Sequence, residues 1–109
     1  MAVHLDGELV CRDPQEAAVV ARHLPRHTDL TRAEAGCVSF EVTATDDPLV
    51  WRVQEHFTDG DSFRAHQHRS ARSQWGQVTA GIERRYTVTG LDERTRAAGR
   101  RIELWPRHP

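Results

Sequence analysis

The chain has 109 residues, of which 38% are hydrophobic, and its 15 basic and 16 acidic residues leave a formal net charge of -1. That length fits one domain, and the near-neutral charge argues against binding to nucleic acid. Because no run approaches the roughly 20 apolar residues of a membrane span and the N-terminus lacks a signal-peptide core, we expect a cytoplasmic protein with no membrane partner.

The residue types add expectations about stability and compartment. All the basic residues are Arg, while Lys and Asn are absent. Leu, Ile, Val and Phe are few for a globular chain, so we expect a thin core and a second copy of the chain, in a homodimer, that contributes stability. Cys11 and Cys37 lack CxxC spacing and are typical of buried thiols in a reducing compartment.

The first third of the chain predicts a strand followed by a long helix. Residues 3–11 alternate between two faces, which is the period of a strand. Asp13 and Pro14 are typical of a helix N-cap and of the first helical position. Pro25 interrupts the apolar stripe that follows, so we expect a kink or a break there. The helix then resumes and ends at Gly36, a natural C-cap.

The centre of the chain predicts a hairpin, helical segments and a closing strand. The segments are strands at residues 38–43 and 49–57 around a turn at 46–48, helical segments at 62–68 and 70–82, and a strand at 83–89. Alternation along the first strand of the hairpin puts Val38, Phe40 and Val42 on one face. The second hairpin strand has one apolar face, made by Trp51, Val53, Glu55 and Phe57.

The resulting order, β-α-β-β-α-β over residues 3–89, is that of a ferredoxin-like α+β fold. Right-handed crossovers place the helices on one face of an antiparallel sheet, and we expect the sheet of a second copy to cover the other face. Residues 1–90 form the predicted domain, and residues 91–109 form a C-terminal extension. Within it, the alternating segment 101–105 predicts a short strand that pairs with the sheet edge of its own chain or of the partner subunit.

One carboxylate lies among apolar residues on the third predicted strand. Glu55 shares its face with Trp51, Val53 and Phe57. A carboxylate in that position must be paired or partly protonated, because burying a bare charge is costly. Two interpretations are open: an ion pair with an Arg at a dimer interface, or an acid or base in a pocket.

His66 and the aromatic residues around it are the other candidates for chemistry. A histidine titrates near neutral pH and can accept a proton from a phenol; a core histidine bonded to backbone is the alternative interpretation. The concentrated aromatic residues predict either a wall for a flat ring substrate or simply core. They are Phe40, Trp51, Phe57, Phe63 and Trp75.

The seven histidines do not form a metal-binding pattern. Pro25 lies between His23 and His27, with no acidic ligand nearby, and His66 and His68 point to different faces of a helix. A Gly-rich nucleotide loop after the first strand and a serine nucleophile elbow are both absent. The sequence therefore predicts neither a metal site nor a nucleotide site.

Four short segments share their order and spacing with one known family. Residues 31–42 (TRAEAGCVSFEV) are similar to the family's segment in which a helix ending in Glu-Pro-Gly-Cys leads into the second strand. Residues 46–48 (DDP) are similar to its hairpin turn. Residues 55–57 (EHF) stand where it often has Glu-Glu-Trp. Residues 63–66 (FRAH) match its Phe-x-Ala-His helix, and Trp75 follows at the usual distance. Over roughly residues 5–89, the chain resembles the antibiotic biosynthesis monooxygenase family.

The resemblance implies a homodimer whose sheets pack into a dimeric α+β barrel, with a pocket between sheet and helices in each subunit. It also implies oxidation of a small aromatic substrate, a quinol or an anthrone, by O2 without a cofactor. In that chemistry the substrate is deprotonated and itself passes an electron to O2, while the protein supplies desolvation and positioning.

Carried over residue by residue, the resemblance makes His66 the catalytic base or orienter. Phe57 and Trp75 become pocket walls, and Arg72 becomes the partner of a phenolate. The full set of substrate-binding residues so predicted is Trp51, Glu55, Phe57, Phe63, Arg72 and Trp75.

The chain departs from the family pattern at positions that matter for chemistry. Phe57 replaces the usual strand Trp. Haem-degrading relatives use an Asn on the first strand and a His on the last helix, whereas this chain has no Asn and has Gly76 near the position of that His. Haem binding and degradation are therefore disfavoured. The main alternative to an oxygenase is a non-catalytic or differently catalytic dimeric barrel that binds a small apolar ligand.

Overall fold

The computed structural model describes residues 1–91. The elements are β1 (Val3–Val10), α1 (Pro14–Arg32), β2 (Cys37–Ala44), β3 (Val50–Phe57), α2 (Gly60–Arg72), α3 (Gln74–Val78) and β4 (Glu83–Thr89). The four strands form one antiparallel sheet in the order β2-β3-β1-β4. This topology confirms the predicted ferredoxin-like α+β fold. Apart from Leu91, the predicted extension at residues 91–109 and its strand at 101–105 lie outside the described residues.

Helix α1 runs without interruption through its internal proline. Asp13 caps it by accepting a hydrogen bond from the Glu16 backbone N–H at 2.9 Å. The predicted break at Pro25 does not occur. A proline removes one helix hydrogen bond. The helix nevertheless continues, because Val20 and His27, in the turns on either side of Pro25, are buried on the sheet side of the helix.

The helix ends at Arg32, earlier than the predicted end at Gly36. Gly36 instead occupies the turn into β2 with φ +86°, a conformation that favours glycine. Its carbonyl accepts a hydrogen bond from the Thr58 N–H at 2.9 Å, and a Cβ at this position would collide with the side chain of Ser62. The glycine therefore lets the turn pack tightly against the start of α2.

A bulge shifts the alternation at the start of β2. Cys37 pairs with Phe57 and Ser39 pairs with His56, so Val38 is an extra residue in the ladder. Val38 is exposed, whereas Phe40 is buried. The prediction that Val38 and Phe40 share a face is therefore wrong, because simple alternation does not anticipate an inserted residue.

The two faces of the sheet differ sharply in composition, and we call them the covered face and the open face. The covered face lies under the helices, and its buried residues are Val3, Leu5, Leu9, Phe40, Val53, Glu55 and Phe57. Exposed residues of the open face include His4, Asp6, Glu8, Ser39, Glu41, Thr43, Arg52, Gln54, Glu83, Arg85, Thr87 and Thr89. The face on which we expect a second sheet thus offers little apolar area to bury. No helix within residues 1–91 is long and apolar enough to cross a membrane.

Candidate functional site

A small cavity lies between the covered face and the helices. Its volume is about 20 Å³, which is room for about one water molecule. The lining residues are Leu9, His27, Phe40, Val42, Val53, Glu55, His66, Gln67, Ser70, Trp75, Arg84 and Tyr86. Two helices, α1 and α2, supply the histidines, and the sheet supplies Glu55, so groups that can carry protons converge on one buried space.

His66 is the central polar group of this cavity. It lies on α2, and its side chain is only 4% exposed. Its Nδ1 lies 2.8 Å from Glu34 Oε1, and its Nε2 lies 3.8 Å from Glu55 Oε1. Phe57 stacks against the ring with centroids 5.0 Å apart, which fixes the ring plane. Each ring nitrogen therefore faces a different carboxylate.

Glu55 is buried on β3 with little compensation for its charge. Burial raises the pKa of Glu55 to about 7, and the neighbouring His66 partly opposes that rise. Within residues 1–91, no hydrogen bond reaches its Oε1. The structure places this carboxylate beneath the helices, away from the open face. At neutral pH both its protonated and its ionised forms are accessible.

His27 and Trp75 form one wall of the cavity. Their rings stack with centroids 4.6 Å apart and an interplanar angle of 7°. Burial, reinforced by electrostatic interactions with His66, Arg69 and Arg84 that disfavour a second positive charge, lowers the pKa of His27 to about 3. His27 is therefore neutral at physiological pH, and its flat ring acts mainly as a packing surface for Trp75.

Glu34 connects the cavity to a cation on α2. Its Oε2 accepts a hydrogen bond from Arg69 Nε at 2.6 Å, and Arg69 Nη2 also donates to Thr31 Oγ1 at 3.1 Å. Burial opposes ionisation of Glu34, but the hydrogen bonds from His66 and Arg69 outweigh it and lower the pKa of this carboxyl. Glu34 is therefore an anion next to His66.

Strand β4 closes the remaining side with Arg84 and Tyr86. Arg84 Nη1 donates to the Thr79 and Ile82 carbonyls at 2.9 Å and 3.0 Å, which anchors the guanidinium beside the loop after α3. Burial lowers the pKa of Arg84 and raises the pKa of Tyr86. At neutral pH the tyrosine is therefore a neutral hydroxyl rather than a phenolate.

The structure brings three of the predicted site residues together: His66, Glu55 and Trp75 all line the cavity. Phe57 lies behind His66, and Phe63 packs edge-to-face on Phe57 with centroids 5.9 Å apart. Neither ring lines the cavity.

Two predicted residues lie elsewhere. Trp51 pairs with Leu9 across the β1–β3 ladder and does not line the cavity. Arg72 lies in a separate surface groove, which it shares with His68, Arg69 and Ser73.

Sequence reasoning missed five residues that surround His66 or complete the cavity wall: His27, Glu34, Arg69, Arg84 and Tyr86. The sequence could have indicated Arg84 and Tyr86, because they alternate along β4 on the same face as the apolar residue Val88. Glu34 lies inside the segment TRAEAGC, which by itself indicates only the end of a helix. Within the described part of the chain, no three His, Cys, Asp or Glu residues are grouped so as to hold a metal ion.

Comparison with solved structures supports the fold. Rv0793 from Mycobacterium tuberculosis matches with a TM-score of 0.67 and 22% identity, covering 85% of this chain and 98% of that one. A candidate antibiotic biosynthesis monooxygenase from Deinococcus radiodurans matches with a TM-score of 0.64 and 20% identity, covering 85% and 94%. A similarly named protein from Nitrosomonas europaea gives 0.68 and 16%, covering 83% and 97%. At these identities the likeness concerns the fold alone.

Comparison with family models is more specific. No curated protein matches the chain significantly, but the model of the antibiotic biosynthesis monooxygenase family matches residues 3–77. That match spans β1 through nearly all of α3, including His66 and both of its carboxylate neighbours. The chain therefore belongs to the antibiotic biosynthesis monooxygenase family.

Proposed function

We propose that the protein is a cofactor-independent monooxygenase that oxidises a small phenolic compound, of the quinol or anthrone type, with O2. The observation that supports this most directly is the pair of proton-carrying groups in the cavity. His66 Nε2 and Glu55 Oε1 lie 3.8 Å apart, and both side chains are buried. A buried base beside a carboxyl group whose pKa is about 7 is suited to removing a proton from a phenol in a water-poor site.

In this proposal His66 accepts the acidic proton of the substrate through Nε2. Trp75, stacked on His27, is the wall against which the substrate ring packs. Glu55 is the second acid or base, since its pKa of about 7 allows it to hold or release a proton near neutral pH. Phe57, predicted as a pocket wall, lies behind His66 and supports its ring instead.

The remaining predicted contacts have more distant roles. Phe63 supports Phe57, and Trp51 contributes to the core farther along the sheet. The predicted contact between Arg72 and a phenolate is not part of this proposal, because Arg72 lies in a surface groove outside the cavity.

The proposed reaction balances without an added reductant. For an anthrone, deprotonation gives a carbanion–phenolate that transfers one electron to O2, and the resulting radicals combine into a peroxide on carbon. Loss of water from that peroxide leaves a carbonyl group, so the CH2 carbon gains one oxygen atom and the second oxygen leaves as water with both hydrogens. The protein contributes proton transfer and exclusion of bulk water.

The small volume of the cavity favours a second candidate function. About 20 Å³ holds one hydroxyl-sized group rather than a ring, whereas ligand pockets commonly have a few hundred Å³ or more. An oxygenase must therefore displace a wall residue to admit its substrate. A non-catalytic barrel that binds a small ligand at the cavity mouth needs no such movement.

Oxygen uptake with a panel of reduced quinols and anthrones distinguishes the two functions. We expect uptake with one oxygen atom entering the product, and its loss in a His66→Gln variant. The matched control is His68→Gln, which alters an exposed histidine on the same helix and should leave uptake unchanged. Ligand binding without uptake, or equal uptake by the His66→Gln variant, would contradict the assignment.

The assembly and location are also part of this proposal. A homodimer remains the expected state, and the polar open face implies that contacts across that face are hydrogen bonds and ion pairs rather than apolar burial. A cytoplasmic location fits the residue composition. Sedimentation of the full chain over a range of concentrations measures the assembly directly.

A further inference from the structure

The contact between Glu34 and His66 joins two distant parts of the chain. Glu34 lies in the turn after α1, and His66 lies on α2, 32 positions later. Glu34 Oε1 and His66 Nδ1 are 2.8 Å apart, a distance typical of a hydrogen bond. An ionised carboxylate can only accept a hydrogen bond. Nδ1 must therefore carry the proton when the ring is neutral.

A second contact holds the carboxylate in place. Arg69 Nε donates to Glu34 Oε2 at 2.6 Å, so each carboxylate oxygen has its own donor. Arg69 is in turn tied to Thr31 Oγ1 at 3.1 Å. Since a guanidinium only donates hydrogen bonds, this arrangement keeps Glu34 both ionised and fixed in orientation.

Other polar contacts of the ring are too weak to determine its tautomer. Glu55 Oε1 lies 3.8 Å from Nε2, beyond hydrogen-bond distance. Ser70 Oγ lies 3.4 Å from both ring nitrogens, so it favours neither strongly. Phe57 and Phe40 contact the ring at centroid distances of 5.0 Å and 5.9 Å; they restrict its plane but carry no proton. Glu34 is therefore the residue whose chemistry decides which nitrogen is protonated.

We propose that Glu34 is a positioning residue that holds His66 in the Nδ1–H tautomer, leaving the lone pair of Nε2 directed at the cavity and Glu55. This inference rests on the proposed function, in which Nε2 accepts the substrate proton. It adds that the base depends on a carboxylate outside the cavity wall, with Arg69 as the group that orients that carboxylate.

The substitution Glu34→Gln gives a sharp test because the amide has two different ends. Arg69 only donates, so the amide oxygen must turn toward it, and the NH2 group then faces His66 Nδ1. Nδ1 must now accept a hydrogen bond, which moves the ring proton to Nε2. The variant should therefore invert the tautomer and occupy the nitrogen that is needed as the base.

The experiment is nitrogen NMR at pH 8.5 on the full chain labelled at histidine. The His66 signal is identified by its absence from the spectrum of the His66→Gln variant. Wild type should show the Nδ1–H tautomer and Glu34→Gln the Nε2–H tautomer. The matched control is Glu41→Gln, an exposed glutamate paired with Arg32 at 3.1 Å, which should resemble wild type. In the oxygen assay, Glu34→Gln should lower kcat by about a hundredfold or more.

Two results would overturn the proposal: a wild-type ring protonated on Nε2 or on both nitrogens, or a folded Glu34→Gln protein that retains the Nδ1–H tautomer. The wild-type spectrum is informative even if the variant does not fold. The spectra also separate this inference from the proposed function. Inverted tautomers without oxygen uptake by wild type would support the positioning role of Glu34 and contradict the oxygenase.

Discussion

The covered and open faces of the sheet are made by alternate residues of the same strands, yet ionisable side chains are buried on the first face and exposed to water on the second. On β3, Glu55 is buried and has its pKa raised to about 7, whereas Arg52, three positions earlier, is 47% exposed and pairs with Asp6 at 3.0 Å. His56 stacks on His4 across the open face at 4.1 Å. His66, packed on the covered face, faces two carboxylates.

This difference shows on which face of the sheet a polar contact can change the pKa or the tautomer of a side chain. Ionic contacts between exposed groups are screened by water and contribute little. The same groups beneath the helices lack that screening, so a neighbour shifts a pKa or fixes a tautomer. Stability and proton chemistry should therefore both respond to changes on the covered face and be nearly insensitive to changes on the open face.

The largest expected effect comes from removing a ring of the covered face. Phe57 is fully buried and contacts both Phe63 and His66. Phe57→Ala should lower the free energy of unfolding by about 4 kcal/mol, through lost apolar burial and the cavity left behind. Urea unfolding followed by circular dichroism measures this change.

The neighbouring residue on the open face is the matched control for that substitution. His56→Ala should change the free energy of unfolding by less than about 1 kcal/mol, since its ring is only partly buried. Comparable losses for the two variants would mean that the open face is packed against something, such as a second copy of the chain.

A smaller effect, dependent on pH, is expected at Glu55. The folded protein holds the Glu55 proton up to a pKa of about 7, while the unfolded chain releases it near 4.5. Raising the pH between these values therefore favours unfolding, by about 3 kcal/mol in total. Glu55→Gln should become progressively more stable relative to wild type from pH 5 to 7 and level off above pH 7.

Urea unfolding at pH 5, 6, 7 and 8.5 measures this difference. His27, whose pKa is lowered to about 3, makes stability fall as the pH drops below about 6.5, but it is common to both proteins and cancels. Glu8→Gln on the open face is the control and should follow wild type. A flat difference between Glu55→Gln and wild type would show that Glu55 ionises normally in the folded protein.

The smallest effect is expected for the ion pair on the open face. Arg52 and Asp6 are 47% and 57% exposed at their side chains, so Arg52→Gln should cost less than about 1 kcal/mol in unfolding free energy. Added salt should reduce even that difference, because it screens exposed charges. A larger loss that depends on protein concentration would instead place Arg52 in an interface between subunits.

Much of the fold is predictable from local patterns. The N-cap at Asp13, the alternation of Val3, Leu5 and Leu9, and the hairpin around residues 46–48 each depend on neighbours a few positions apart. The failures arise where packing overrides the local pattern. Helix α1 continues through Pro25 because Val20 and His27, in the flanking turns, are buried, and a bulge turns Val38 away from Phe40.

The candidate site is predictable only in part. His66, Glu55 and Trp75 could be selected because each is an unusual residue type in its setting, and the cavity contains all three. Glu34 and Arg69 could not be selected in this way, since charged residues in a turn and on a helix are normally solvated. Their role follows from a contact across 35 positions.

By itself, the sequence determined the order of elements and, except at the Val38 bulge in β2, which side of each strand faces inward, because both follow from periodicities of two and about 3.6 residues. Membership of the family followed from motif order as well. Only the tertiary structure decided which inward residues meet. How α1 and α2 pack on the sheet sets the 2.8 Å contact of His66 with Glu34 and its 3.8 Å separation from Glu55. Those distances, rather than the residue types, determine where a proton can go.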